Sequence, residues 1–77
     1  MKIPRDLSGR ELVKILCKKW DYMQIHQEGS HMIIQTKIPS HQRLPVPDHN
    51  ALRIGTLNNI LKLVAEHKNV EKDEILR

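Results

Sequence analysis

The sequence predicts an α+β fold in the order α-β-β-β-α: a three-stranded antiparallel meander with both main helices on one face. Three observations carry this expectation. Apolar residues recur at helical spacing near both ends of the chain, at Leu12, Ile15, Leu16 and Trp20, and again at Leu57, Ile60, Leu61 and Val64. Residues 21–27 and 31–38 are β-branched and apolar and flank a joint at Glu28-Gly29-Ser30. A third run, Arg43 to Pro47, is broken by prolines, which lack a ladder donor and so belong at a sheet edge.

The first helix opens on Ser8-Gly9-Arg10-Glu11, a capping box in which Ser8 and Glu11 satisfy each other's free backbone donors. Arg10, Lys14 and Lys18 follow four residues apart and fall nearly opposite the apolar stripe, so this helix shows a basic ridge. The ridge is either an ordinary solvated face or a track for phosphates. Cys17 reads as a small residue at the core edge. In the second strand Met32, Ile34, Thr36 and Ile38 alternate with His31, Ile33, Gln35 and Lys37. The first set suits a core; the second, apart from Ile33, suits water or a ligand, and places His31 on the polar face just after a turn. In the third strand Leu44 and Val46 point inward. A loop over 48–55 leads to Gly55-Thr56, where Thr56 or its neighbour caps the second helix. A short charged helix is expected from about Asn69, including Ile75 and Leu76. This is the layout of the double-stranded-RNA-binding domain, with one sheet face left open.

Seventy-seven residues make one domain near the lower limit for a single hydrophobic core. With Trp20 and Tyr22 the only aromatics, that core must be aliphatic, and a function has to sit on a surface or in a shallow groove. Residues 1–65 carry ten Lys/Arg against five Asp/Glu, whereas residues 66–77 carry three against four. The basic excess therefore belongs to the folded body and favours a polyanionic partner, most simply nucleic acid. A single cysteine cannot form an internal disulfide, and neither a signal-peptide pattern nor a long apolar run is present. Cytoplasmic location without a membrane partner is the expectation.

Five histidines, at 26, 31, 41, 49 and 67, match no metal-ligand spacing, and no nucleophile elbow or glycine-rich phosphate loop occurs. No metal or small-molecule cofactor is expected. The tetrapeptide Gly29-Ser30-His31-Met32 matches the remnant of a cleaved purification tag, yet it lies behind 28 residues that read as structured. His31 has to be explained as part of the protein. It is either an ordinary surface histidine or a catalytic one. RNA carries its own nucleophile, the 2′-hydroxyl, so one histidine and a basic surface suffice to cut it.

Four stretches, SGRELVKIL at 8–16, GSH at 29–31, VPDH at 46–49 and LRIGTLNNIL at 52–61, together resemble the HicA family of toxins from bacterial and archaeal toxin–antitoxin pairs. They come in the family's order and spacing and span most of residues 7–65. The resemblance implies a double-stranded-RNA-binding-like fold, cleavage of mRNA that arrests translation, and neutralisation by a HicB-type antitoxin. The family's catalytic histidine falls on His31, with Gly29 and Ser30 shaping the turn that presents it. His49 occupies the V-P-x-H position, as general acid or as a residue holding its loop by hydrogen bonds. Arg10, Lys14, Lys18, Lys37 and Arg43 are the expected phosphate contacts. Two departures affect only how elements begin: Lys19 where a glycine is common, and Ile54 where a proline often precedes Gly-Thr. A non-catalytic RNA-binding module on the same fold is the alternative reading.

Overall fold

The structure, a computed structural model, describes residues 6–77. Its elements run α1 (Gly9–Lys19), β1 (Met23–Glu28), β2 (His31–Thr36), β3 (Gln42–Pro47), α2 (Ile54–Lys68) and α3 (Lys72–Ile75). The sheet is antiparallel with order β1-β2-β3. The α-β-β-β-α expectation is therefore met, with a short C-terminal helix added. No helix among the described residues is long and apolar enough to cross a membrane.

Helix α1 begins on the capping box. Glu11 N–H donates to Ser8 Oγ at 3.1 Å, and Ser8 N–H donates to the Glu11 carboxylate at 3.0 Å. These bonds, the one from the Ser8 backbone first, hold the Glu11 carboxyl below its ordinary range. Leu12 and Leu16 are fully buried, joined by Val13, while Ile15 and Trp20 are half-buried at the rim. The helix ends at Trp20, whose indole N–H donates to Ile75 O at 3.0 Å and so pins α3 to α1. Asp21 takes a left-handed φ of 61°, and the chain turns there before β1 begins at Met23. Tyr22 thus enters the core ahead of the strand rather than within it, and burial pushes its phenol up to about 12.

Strand β2 is the spine of the sheet. Met32, Ile34 and Thr36 are buried on the helix side together with Leu44 and Val46 of β3, as the alternation requires. Ile38 does not join them and is 57% exposed: β2 stops at Thr36, whose hydroxyl accepts the Ile38 N–H at 3.3 Å and turns the chain away. Ile33 lies on the opposite face yet is buried, because it occupies the central strand between His26 of β1 and Pro45 of β3 in register. The open face therefore has an apolar centre within a polar surround.

In α2, Leu57, Ile60, Leu61 and Val64 form the buried stripe, with Ala65 added. The N-cap is Arg53 and makes no side-chain cap bond; Thr56 is already the third helical residue, so the capping role expected of it is not realised. Ile54 takes the first helical position, where a proline would be tolerated because that N–H has no helical acceptor. Asn69 ends α2 as a left-handed C-cap instead of starting α3, and Ile75 of α3 is fully buried under the α1–α2 layer.

The N-terminus of α1 meets the end of β3 backbone to backbone. Gly9 is buried, its N–H donates to His49 O at 3.0 Å, and a Cβ built on it would lie 1.9 Å from Pro47 O. Gly9→Ala should therefore destabilise the fold by about 1–3 kcal/mol, the range for forced overpacking. Gly55→Ala, in a helix with nothing within 4 Å of the new Cβ, should raise stability by about 0.5–1 kcal/mol. Thermal unfolding followed by circular dichroism reads both. Equal midpoints for the two variants would mean that α1 does not pack this closely on β3.

Candidate active site

The β1–β2 hairpin closes on a two-residue loop, Gly29-Ser30, between the paired residues Glu28 and His31. Gly29 has φ +57°, the left-handed value a glycine supplies at the first central position of a tight hairpin turn. His31 is the first residue of β2 and is exposed. Its register partners are Glu28 on one side and Pro47 on the other, so its side chain shares the open face with both. Glu28, a carboxylate next to His31 in register and 3.5 Å from His26 Nε2, is a neighbour that strand reading in one dimension missed.

A single aspartate holds this corner together. Asp48 N–H donates to Ser30 O at 2.7 Å, which fastens the turn to the segment after β3. The Asp48 carboxylate accepts from Arg10 Nε at 3.0 Å, Arg10 Nη2 at 3.2 Å and Gln27 Nε2 at 3.2 Å. Gln27 Nε2 also donates to Gly29 O at 3.2 Å. The arginine fork, then the Gln27 amide, keep the Asp48 carboxyl below its ordinary range. Through Asp48, the start of α1, the hairpin turn and the β3–α2 loop form one unit around His31. His49 contributes to that unit through its backbone carbonyl, which accepts the Gly9 N–H. Its imidazole is exposed and makes no hydrogen bond among the described residues.

The basic residues divide into groups. Arg10 lies at the His31 corner, engaged by Asp48 but with 75% of its side chain exposed. Lys14 and Lys18 continue the ridge, both exposed and without an ion-pair partner among the described residues. Arg10 and Lys14 line a shallow groove of about 380 Å³ against Gln24 and Gln27 of β1. Arg43 sits on the open face opposite Gln35, with a guanidinium N–H 3.4 Å from its amide oxygen. Lys37 lies beyond the far end of β2, roughly 20 Å from His31 at strand rise, and is not part of the same cluster. Lys68 is a structural cation: Nζ donates to Thr36 Oγ1 and Ile38 O and lies 5.0 Å above the Tyr22 ring, with burial lowering its pKa. Arg53, exposed at the start of α2 and without an ion-pair partner among the described residues, is a cation the sequence reading did not single out.

A second groove, about 430 Å³, is lined by His31 itself. One wall is the row His31, Pro47, Pro45; the other is α2 at Thr56, Asn59 and Leu63. Among the described residues no three His, Cys, Asp or Glu side chains converge as metal ligands would.

The fold and this corner define a class: a small basic α+β domain of double-stranded-RNA-binding layout that presents a histidine from a tight turn. The family model described as HicA toxin of bacterial toxin-antitoxin matches residues 9–64. The chain belongs to the HicA toxin family. Membership makes it the toxin side of a toxin–antitoxin pair and implies an antitoxin partner. No curated protein and no solved structure matches it at a significant level.

The Asp48 carboxyl has a depressed pKa in the folded state, so its contribution to stability is present above the unfolded carboxylate value of about 3.9 and is lost as pH falls through the folded value. Asp48→Asn should lower the thermal midpoint at neutral pH, with the gap to the parent shrinking as pH drops below about 4. A gap that stays constant from pH 7 to pH 2 would show that the charged carboxylate is not what ties the corner.

Proposed function

We propose that the protein is an endoribonuclease toxin that cuts mRNA in the cytoplasm without a metal ion, with His31 as the group that moves the proton. The observation that carries this reading is the position of His31: exposed, directly after a turn fixed by Gly29 and by the Asp48–Ser30 bond, lining an apolar groove, and next to the corner where Asp48 holds Arg10. A solvent-reachable imidazole set on a fixed backbone is what general acid–base catalysis needs. Family membership over residues 9–64 supports the toxin role.

The reaction is a transesterification within the RNA. The His31 imidazole takes the 2′-hydroxyl proton, the 2′-oxygen bonds to the adjacent phosphorus, and the bond from phosphorus to the 5′-oxygen breaks. The leaving 5′-oxygen takes up a proton from water or from a protonated His49 ring, which no hydrogen bond within the protein engages among the described residues, and the His31 imidazolium returns its proton to water. Products carry a 2′,3′-cyclic phosphate and a free 5′-hydroxyl. Arg10 and Lys14 hold the phosphates nearest the cut, Lys18 continues that track along α1, and Arg43 and Lys37 reach nucleotides further off. Ser30 orients the turn through its carbonyl. The antitoxin, of HicB type, silences the toxin by covering His31 and the open sheet face, with acidic groups against these cations.

His31→Ala should abolish growth arrest on expression and cut the RNA-cleavage rate by roughly 10²–10⁴, the usual share of a general acid–base group. Because His31 is exposed, the thermal midpoint should barely move. EDTA should leave the parent rate unchanged. A His31→Ala protein that arrests growth as the parent does would remove the catalytic assignment. Retained RNA affinity with no cleavage by the parent would leave a non-catalytic RNA-binding module.

A further inference from the structure

The groove between β3 and α2 differs in chemistry from the rest of the basic surface. Among the described residues no Lys or Arg lines it. Its walls are mainly apolar, with Pro45 and Pro47 on the sheet side and Leu63, 40% exposed, on the helix side. A phosphate would find no cation there, whereas a flat ring could lie against the prolines and Leu63. Its volume of about 430 Å³ falls within the roughly 300–1,000 Å³ of small-ligand sites.

Two polar side chains interrupt the apolar lining on the helix side. Thr56, Asn59 and Leu63 stand at i, i+3 and i+7 of α2, so they share one stripe facing the groove. Asn58, one residue before Asn59, has its amide oxygen occupied by Lys72 Nζ. The Asn59 amide is exposed and makes no hydrogen bond among the described residues, which leaves a donor and an acceptor side by side. That pair matches the N7 acceptor and N6 amino donor of adenine. His31 lines the same groove, so a base seated there belongs to a nucleotide at the reacting phosphate.

We propose that this groove is the nucleobase subsite of the toxin, that it takes an adenine flanking the cut bond, and that Asn59 sets the preference. The proposal rests on the endoribonuclease reading above. It divides the site by chemistry: the phosphate path runs over α1 and β1, and one base is read between β3 and α2. Asn59 touches the base and moves no proton.

The test is to map cut sites of the parent, Asn59→Ala and Asn59→Asp on a random-sequence RNA pool by sequencing the 5′-hydroxyl ends. The parent should favour adenine at one position next to the cut by roughly fivefold to 150-fold, the discrimination of a bidentate pair of about 1–3 kcal/mol. Asn59→Ala should erase that preference. Asn59→Asp, which keeps the acceptor and loses the donor, should move it toward cytosine, whose N4 amino group donates. Asn59 is exposed, so both variants should keep the parent's circular dichroism spectrum and midpoint. A parent with no base preference beside the cut, or variants that keep the adenine preference, would overturn this subsite while leaving the endoribonuclease intact. Variants that cut as the parent does and only lose antitoxin affinity would make the groove a protein contact and overturn it as well. A parent that cuts no RNA would instead remove the reading on which the subsite rests.

Discussion

The structure depends on one close approach. Where α1 begins, its backbone lies directly on the backbone that leaves β3, and only a glycine at position 9 leaves room for Pro47 O. The contact sets the distance between the first helix and the sheet. It also lets the Gly9 N–H, an unpaired donor at a helix start, find its acceptor at His49 O rather than in water. Arg10, one residue further, is thereby brought within reach of Asp48. If α1 stood further from β3, the Asp48 carboxylate would lose its fork, and the turn before His31, held by the Asp48 N–H and by Gln27, would lose its tie to α1.

An exposed ion pair contributes little to stability, typically 0–1 kcal/mol, so the value of the Arg10–Asp48 pair lies in position. Asp48 touches three separate pieces of chain at once: Ser30 by its N–H, Gln27 and Arg10 by its carboxylate. The proposed reaction would tolerate little looseness, and a histidine that directly follows a two-residue hairpin loop would otherwise move with that loop. The fold thus supplies rigidity where a protein of this size cannot enclose its substrate. Two surfaces meet near this corner, a basic one along α1 and an apolar one against α2, and His31 lines the second.

Much of this was legible in the sequence, for local reasons. The capping box, the apolar stripes of α1 and α2, the alternation of β2 and the turn before His31 all follow from short-range rules, and each is present. What was illegible arises between elements. Ile33 is buried on the open face because two neighbouring strands flank it, which no alternation pattern contains. Arg10 has the spacing of a ridge residue, but its partner lies 38 positions away. Lys37 and His31 are six residues apart and share a polarity, yet β2 begins at His31 and ends before Lys37, which leaves the two at opposite ends of the strand. The start of α2 was misplaced because Thr56 is a good cap by composition, while the helix begins at Ile54 without any side-chain cap. The groove and Asn59 emerge only when α2 is laid beside β3.

In the proposed reaction His31 works on a nucleophile the RNA itself provides. One substitution in the substrate tests this most directly: a single 2′-deoxy nucleotide on the 5′ side of a mapped cut, in an RNA otherwise unchanged. Cleavage at that bond should fall to background while other sites in the same molecule are cut at their normal rate. Cleavage of the substituted bond at the parent rate, or products ending in 5′-phosphate, would contradict it, since a water nucleophile would then be attacking the phosphorus and His31 would have no 2′-hydroxyl to deprotonate.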